Sequence, residues 1–103
     1  MLRLMAAFVF RLKAHRPNFA LDMTDDEREI MGRHAAHWQP LIDSGEMVLF
    51  GPVLDGTGSW GLGVVEAEDE EKIRALAADD PAVTSGTAAI EIGKMLAGYI
   101  RPR

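Results

Sequence analysis

The sequence predicts an α+β domain whose elements follow one another as β-α-β-β-α-β. Three observations lead there. Two stretches carry apolar residues at helical spacing, four carry β-forming residues in short alternating or continuous runs, and capping or turn chemistry separates them. The 103 residues suffice for one hydrophobic core, so positions 1–103 are read as a single domain.

Residues 5–13, MAAFVFRLK, alternate. Phe8, Phe10 and Leu12 share one face, with Ala7, Val9 and Arg11 on the other, which predicts a first strand. The following loop, AHRPNFALDM at 14–23, is expected to form a lid or an arm. Thr24-Asp25-Asp26-Glu27 reads as a capping box with acidic residues at the positive end of a helix. That helix runs to about Ser44, where Gly45 supplies a left-handed stop. Ile30, Met31, Ala35, Trp38, Leu41 and Ile42 mark its buried stripe, and Pro40 is expected to kink its last turn. Met47–Phe50 is a short strand expected to end at Gly51-Pro52, and Asp55-Gly56 is a hairpin signal.

Trp60–Val65 forms the third strand, with Trp60, Leu62 and Val64 on one face. Gly61 and Gly63 lie on the other, which allows close approach by a helix, a second sheet or a ligand. A second helix over Asp69–Asp79 turns Ile73, Leu76 and Ala77 inward and stops before Pro81. Ala88–Ile92 alternates and forms the last strand. This order is the ferredoxin-like plan, a four-stranded antiparallel sheet with two helices on one face. The other face carries apolar side chains with no helix over them, so a second copy of the chain is the expected cover.

The formal net charge is −5, with acidic residues grouped at Asp22–Glu29 and Glu66–Glu71. Lys94, Arg101 and Arg103 are too sparse to track phosphates, which argues against nucleic acid as a partner. Met1–Leu12 is too short for a membrane span, is interrupted by Arg3 and Arg11, and lacks a signal-cleavage pattern. No membrane association is expected, and the cytoplasm is the expected location. The absence of cysteine excludes disulfides, thiolate metal sites and cysteine nucleophiles, and suits a reducing compartment.

His34 is the most informative residue. At about 100° per residue it falls inside the arc of Ile30, Met31, Trp38 and Leu41, aimed at the sheet. It is either a core histidine bonded to a backbone carbonyl, or a general acid/base tuned by burial and a nearby carboxylate. His37 lies at the edge of the same stripe. The two histidines lack a third ligand, His15 being far away in sequence, so no metal site is expected. Asp80 follows Leu76 and Ala77 at helical spacing, so its carboxylate would point with them; alternatively it closes a turn onto its own backbone. Asp55 has the same two readings. Gly56, Gly58, Gly61 and Gly63 do not form a nucleotide loop, since a strand follows them and no Gly-Lys-Ser/Thr is present. No cofactor is called for. Ser44, Ser59 and Ser85 sit in turn-like sequence, and no nucleophile triad stands out.

Taken in order, RHAAHW, GPVLDGTGSWGLGVVEAEDEE and DDPAVTSG resemble the YciI-like (YCII-related) family of the dimeric α/β barrel superfamily, over roughly residues 8–95. RPNFALDMTDDE is similar to the lead-in of one of its bacterial subgroups. The resemblance implies a homodimeric barrel with a cleft holding a His–Asp pair. It places the family's histidine on His34 rather than His37, its Gly-Pro on Gly51-Pro52, its Asp-Pro on Asp80-Pro81 and its loop aspartate on Asp55. Asp80 is the preferred partner of His34, with Asp55 as the rival. The implied function is cofactor-independent lyase or isomerase chemistry on a small molecule, with His34 moving the proton. Gly51, Pro52 and Arg11 join the candidate binding set, and Trp38 and Trp60 are expected as apolar walls. A non-catalytic ligand-binding or accessory protein and a monooxygenase-like barrel are the alternatives. SGTAAIEIGKMLAG lacks the aromatic residue and proline of the family's closing strand, so the last strand and tail are expected to shape the pocket differently.

Overall fold

A computed structural model describes residues 3–67 and 69–102. Glu68 and Arg103, counted above among the charged residues, lie outside them. The elements are β1 (Arg3–Ala14), α1 (Phe19–Asp22), α2 (Asp25–Ser44), β2 (Met47–Asp55), β3 (Gly58–Val65), α3 (Glu70–Ala78), α4 (Pro81–Thr84) and β4 (Ala88–Ile100). The strands pair antiparallel in the order β2-β3-β1-β4. This is the ferredoxin-like arrangement that the order of elements predicts, with single helical turns α1 and α4 added before α2 and after α3. No described helix is long and apolar enough to cross a membrane.

The core lies between the sheet and the two long helices. Phe8, Phe10 and Leu12 of β1 pack with Trp38 and Leu41 of α2, Ile73 and Ala77 of α3, and Met47, Val65 and Ala82. Alternation along β1 sends its larger side chains to this covered face. The capping box of α2 is formed: the Glu27 amide donates to Thr24 Oγ1 at 3.2 Å, and the Thr24 amide donates to Glu27 Oε1 at 2.8 Å. Gly45 ends the helix at φ 83°, its N–H donating to the Ile42 carbonyl. Pro40 does not interrupt α2, which continues to Ser44. Pro40 and Ala36, whose carbonyl loses its helical donor to the proline, are both exposed, so that carbonyl can turn to water.

Two strands outrun their expected lengths. β2 continues through Gly51-Pro52 to Asp55 because it is an edge strand, where a proline removes no bond that a second neighbour needs. β4 continues past Ile92 because its pairing with β1 extends to Arg3↔Ile100, across an irregularity between Met5 and Ala7. Asp69 and Asp79 prove to be the caps of α3 rather than its first and last turns.

On the glycine face of β3 the space a side chain would take is filled by the neighbouring strand, and Gly61 also borders the cavity described below. Phe10 pairs with Gly63 and Leu12 with Gly61. A Cβ on Gly61 would lie 3.1 Å from Leu12 Cβ, and one on Gly63 would run into the Phe10 ring. That ring is buried against Trp38, with centroids 4.9 Å apart, and has little room to move. Gly63→Ala is therefore expected to destabilise the fold by about 1–3 kcal/mol, read from the midpoint of urea unfolding at unchanged slope. The opposite face of the sheet, carrying Val9, Leu49, Leu62 and Val64 by register, has no helix over it among the described residues.

Candidate active site

α2 carries His34 and Trp38 one turn apart, so both side chains reach the same point beneath it. The chain meets them again at the start of α4. There Pro81 occupies the first helical position and Asp80 is the N-cap, a pairing of residues suited to starting a helix. Asp80 Oδ1 accepts from the Ala82 amide at 2.8 Å. Its Oδ2 accepts from His34 Nδ1 at 2.6 Å and from Trp38 Nε1 at 2.7 Å. Asp80 and Trp38 are fully buried, and His34 is 7% exposed. The two readings of Asp80 thus hold together, one oxygen closing its own turn and the other facing the histidine. It reaches that position from a new helical turn, since α3 stops at Ala78.

Burial alone would raise the proton affinity of Asp80. The hydrogen bonds from His34, Trp38 and the Ala82 amide outweigh it and hold the carboxyl below the usual range,. The carboxylate is therefore ionised and accepts from a proton-bearing Nδ1, so that in the neutral form of the imidazole the lone pair lies on Nε2,. Nε2 has no hydrogen-bond partner among the described residues and is not sealed from solvent. Phe10 and Phe50 bracket the imidazole edge-on, at centroid distances of 6.5 and 6.2 Å.

A folded-state carboxyl below its unfolded value adds stability above the unfolded pKa, and that contribution is lost as pH falls through the folded value. Wild-type protein is expected to lose its advantage over Asp80→Asn below about pH 4, measured as the difference in urea midpoint between pH 7 and pH 3. An advantage independent of pH would contradict an ionised Asp80.

His34 borders a cavity of about 250 Å³. Its walls are mainly Phe10, Leu12, Phe19, Met23, Met31 and Phe50; Gly51, Pro52, Ser59 and Trp60 also border it. No Asp, Glu, Lys or Arg does so among the described residues. The expected lid or arm at 14–23 forms one wall and is pinned. Arg16 makes a bidentate pair with Glu27 at 2.8 and 2.7 Å and bonds the Asp22 side chain at 2.8 Å. Pro17 O accepts from the Ser59 amide at 2.6 Å, and the Ala20 amide donates to Ser59 Oγ at 3.1 Å. Gly58, at φ 119°, lets Pro17 lie directly on β3, since any Cβ there would collide with the Pro17 backbone. Arg16 holds the Glu27 carboxyl at about 2, with the Thr24 amide assisting. The sequence signal for Arg16 is an isolated arginine beside the acidic run Asp22–Glu29.

The other candidates fall in different places. Trp38 is not a cavity wall; it is a donor to Asp80. Its signal was also present, because a tryptophan buried on a helical stripe needs an acceptor for its N–H. Trp60 does border the cavity, with Nε1 donating to Asp55 Oδ2 at 2.8 Å and the Arg11 guanidinium 4.7 Å from its ring centroid. Arg11 is exposed and does not border the cavity. Asp55 is exposed in the hairpin turn, and its carboxyl is held at about 2 by the Thr57 hydroxyl and amide and by Trp60. The structure does not bring it to His34. His37 donates from Nε2 to the Leu76 carbonyl at 2.7 Å and packs edge-on to Trp38. The described residues contain no group of three or more His, Asp or Glu able to hold a metal ion.

No curated protein matches this chain. Among solved structures it is similar to 5-chloro-2-hydroxyhydroquinone dehydrochlorinase (TftG) from Burkholderia phenoliruptrix AC1100, in complex with 2,5-dihydroxybenzoquinone, at TM-score 0.63 and 18% identity. The match covers 88% of this chain and 93% of that one, and it is a likeness of fold. Residues 7–95 match the family model of the YCII-related domain, and with nearly the whole chain so matched, this protein belongs to the YCII-related family.

Proposed function

We propose that the chain is a cofactor-independent enzyme of lyase or isomerase type, acting on a small molecule bound in the cavity. His34 is the base and Asp80 its positioning partner. The observation that carries this reading is the His34 ring itself: Nδ1 is committed to a buried carboxylate, while Nε2 is unengaged beside an apolar cavity. A substrate C–H presented to Nε2 loses its proton to that nitrogen. The electron pair left on carbon expels a leaving group from the adjacent carbon, or is reprotonated at a different carbon by the same imidazolium. Both outcomes balance without a co-reactant. Asp80 stabilises the imidazolium formed between the two steps, its own charge buried and fixed beside Nδ1,.

The structurally similar protein is a dehydrochlorinase. This supports elimination as the reaction class, with fold as the extent of the analogy. The whole chain acts as one unit. A second copy over the face of Val9, Leu49, Leu62 and Val64 completes a homodimer, and the cysteine-free composition suits the cytoplasm.

The test is exchange of acidic C–H protons of hydroxylated rings and lactones into D2O, followed by NMR with wild-type protein and with His34→Asn. Wild type is expected to exchange at least one compound and the variant none. Equal exchange by both would leave His34 as a binding or structural group only.

A further inference from the structure

We infer that Trp38 is a positioning residue of the site: its indole N–H, placed on the same carboxylate oxygen as His34, weakens the hold of Asp80 on the ring and keeps Nε2 free to take a proton. The inference rests on the proposed function in taking His34 as the base.

The first observation is the shared atom. Asp80 Oδ2 accepts from His34 Nδ1 at 2.6 Å and from Trp38 Nε1 at 2.7 Å, while Oδ1 accepts from the Ala82 amide. A buried indole N–H needs an acceptor, and any backbone carbonyl would serve. Here it takes the one atom that faces the imidazole. A carboxylate oxygen offers about two lone-pair sites, so the two donors together fill Oδ2 and fix its aim.

The second observation is rigidity. Trp38 is fully buried, with the Phe10 ring 4.9 Å from its own and His37 edge-on at 5.6 Å. His37 is in turn tied to the Leu76 carbonyl of α3. His34 and Trp38 stand one turn apart on α2, so the helix sets the spacing of the two donors. Trp38 does not border the cavity; it acts on the base and not on a bound molecule.

The consequence is electrostatic. A buried carboxylate set against Nδ1 favours the imidazolium, and a base that already holds its proton accepts none. The indole N–H, like the Ala82 amide, draws on the same negative charge and leaves less of it for the ring. The cavity walls bring no Asp, Glu, Lys or Arg to His34 among the described residues, and the neighbouring His37 faces the Leu76 carbonyl.

The chain has two tryptophans, so NMR of the full chain shows two indole N–H signals. That of Trp60, which donates to the exposed Asp55, is the internal control. Through a pH titration the Trp38 signal is expected to move in step with the His34 ring, upfield as the ring gains its proton, because the imidazolium then takes a larger part of the carboxylate charge. The step is expected to vanish in His34→Asn. In Trp38→Phe the midpoint of the His34 ring signals is expected to rise by about half a pH unit or more, a hold on the proton about threefold tighter. The wild-type titration leaves Trp38 in place, so it decides even where the smaller side chain costs the fold. A Trp38 signal that ignores the His34 ring overturns the inference. So does a step that persists in His34→Asn and belongs to His37, or an unmoved midpoint in folded Trp38→Phe. None of these readouts needs a substrate. Coupled titration in a chain that exchanges no substrate proton sinks the enzymatic reading and upholds the tuning of His34 by Trp38. Exchange by wild type with the Trp38 signal unmoved does the reverse.

Discussion

His34→Asn is expected to slow turnover by about 10²- to 10⁴-fold, the usual range for loss of a positioned general base, while lowering stability by no more than about 1 kcal/mol. The two effects separate because the two ring nitrogens do different work. The asparagine amide nitrogen can stand where Nδ1 stands and still donate to Asp80 Oδ2, so the buried carboxylate keeps its donors. Nothing in asparagine reaches the position of Nε2, and the proton-accepting group is lost. His34→Ala is a poorer probe. It removes a donor from Asp80 as well, adding a cost of about 1–3 kcal/mol for an under-satisfied buried group. Turnover and urea midpoint measured together on the asparagine variant decide the matter. Wild-type rates in a stable variant would remove His34 from the chemistry.

Asp80→Ala is expected to cost about 3–5 kcal/mol, the range for breaking a buried charged pair from one side. Three buried donors lose their acceptor at once: His34 Nδ1, Trp38 Nε1 and the Ala82 amide. The N-cap of α4 goes with them. A loss below about 1 kcal/mol by chemical denaturation would contradict that accounting. Asp80→Asn separates function from folding, since an amide can still accept on one side. With its amide oxygen toward His34 Nδ1 and Trp38 Nε1 it keeps both donors at the expense of the Ala82 amide, but it carries no charge to stabilise the imidazolium. Its turnover is therefore expected to fall much further than its stability.

The parts of this fold that were legible in the sequence are those decided within a turn or two of chain. The Thr24–Glu27 capping box, the Gly45 stop and the alternation of Phe8, Phe10 and Leu12 each follow from neighbouring residues, and each is found. The inward aim of His34 followed from helical periodicity alone. What those rules missed was decided across the sheet. β2 passes through Pro52 because it lies at the edge, and β4 lengthens because β1 offers partners as far as Arg3. Gly63 is needed because Phe10 crosses it from the next strand.

Sequence by itself determined the order of elements, the face on which His34 lies and the short set of carboxylates able to meet it. Tertiary structure alone placed Asp80, 46 positions away, against that ring, left Asp55 in its exposed turn, and made Trp38 a donor instead of a wall. Helical and strand periodicity state which way a side chain points from its own element. Which groups meet is fixed only when the elements pack together, and a buried carboxylate persists only where that packing supplies all its donors.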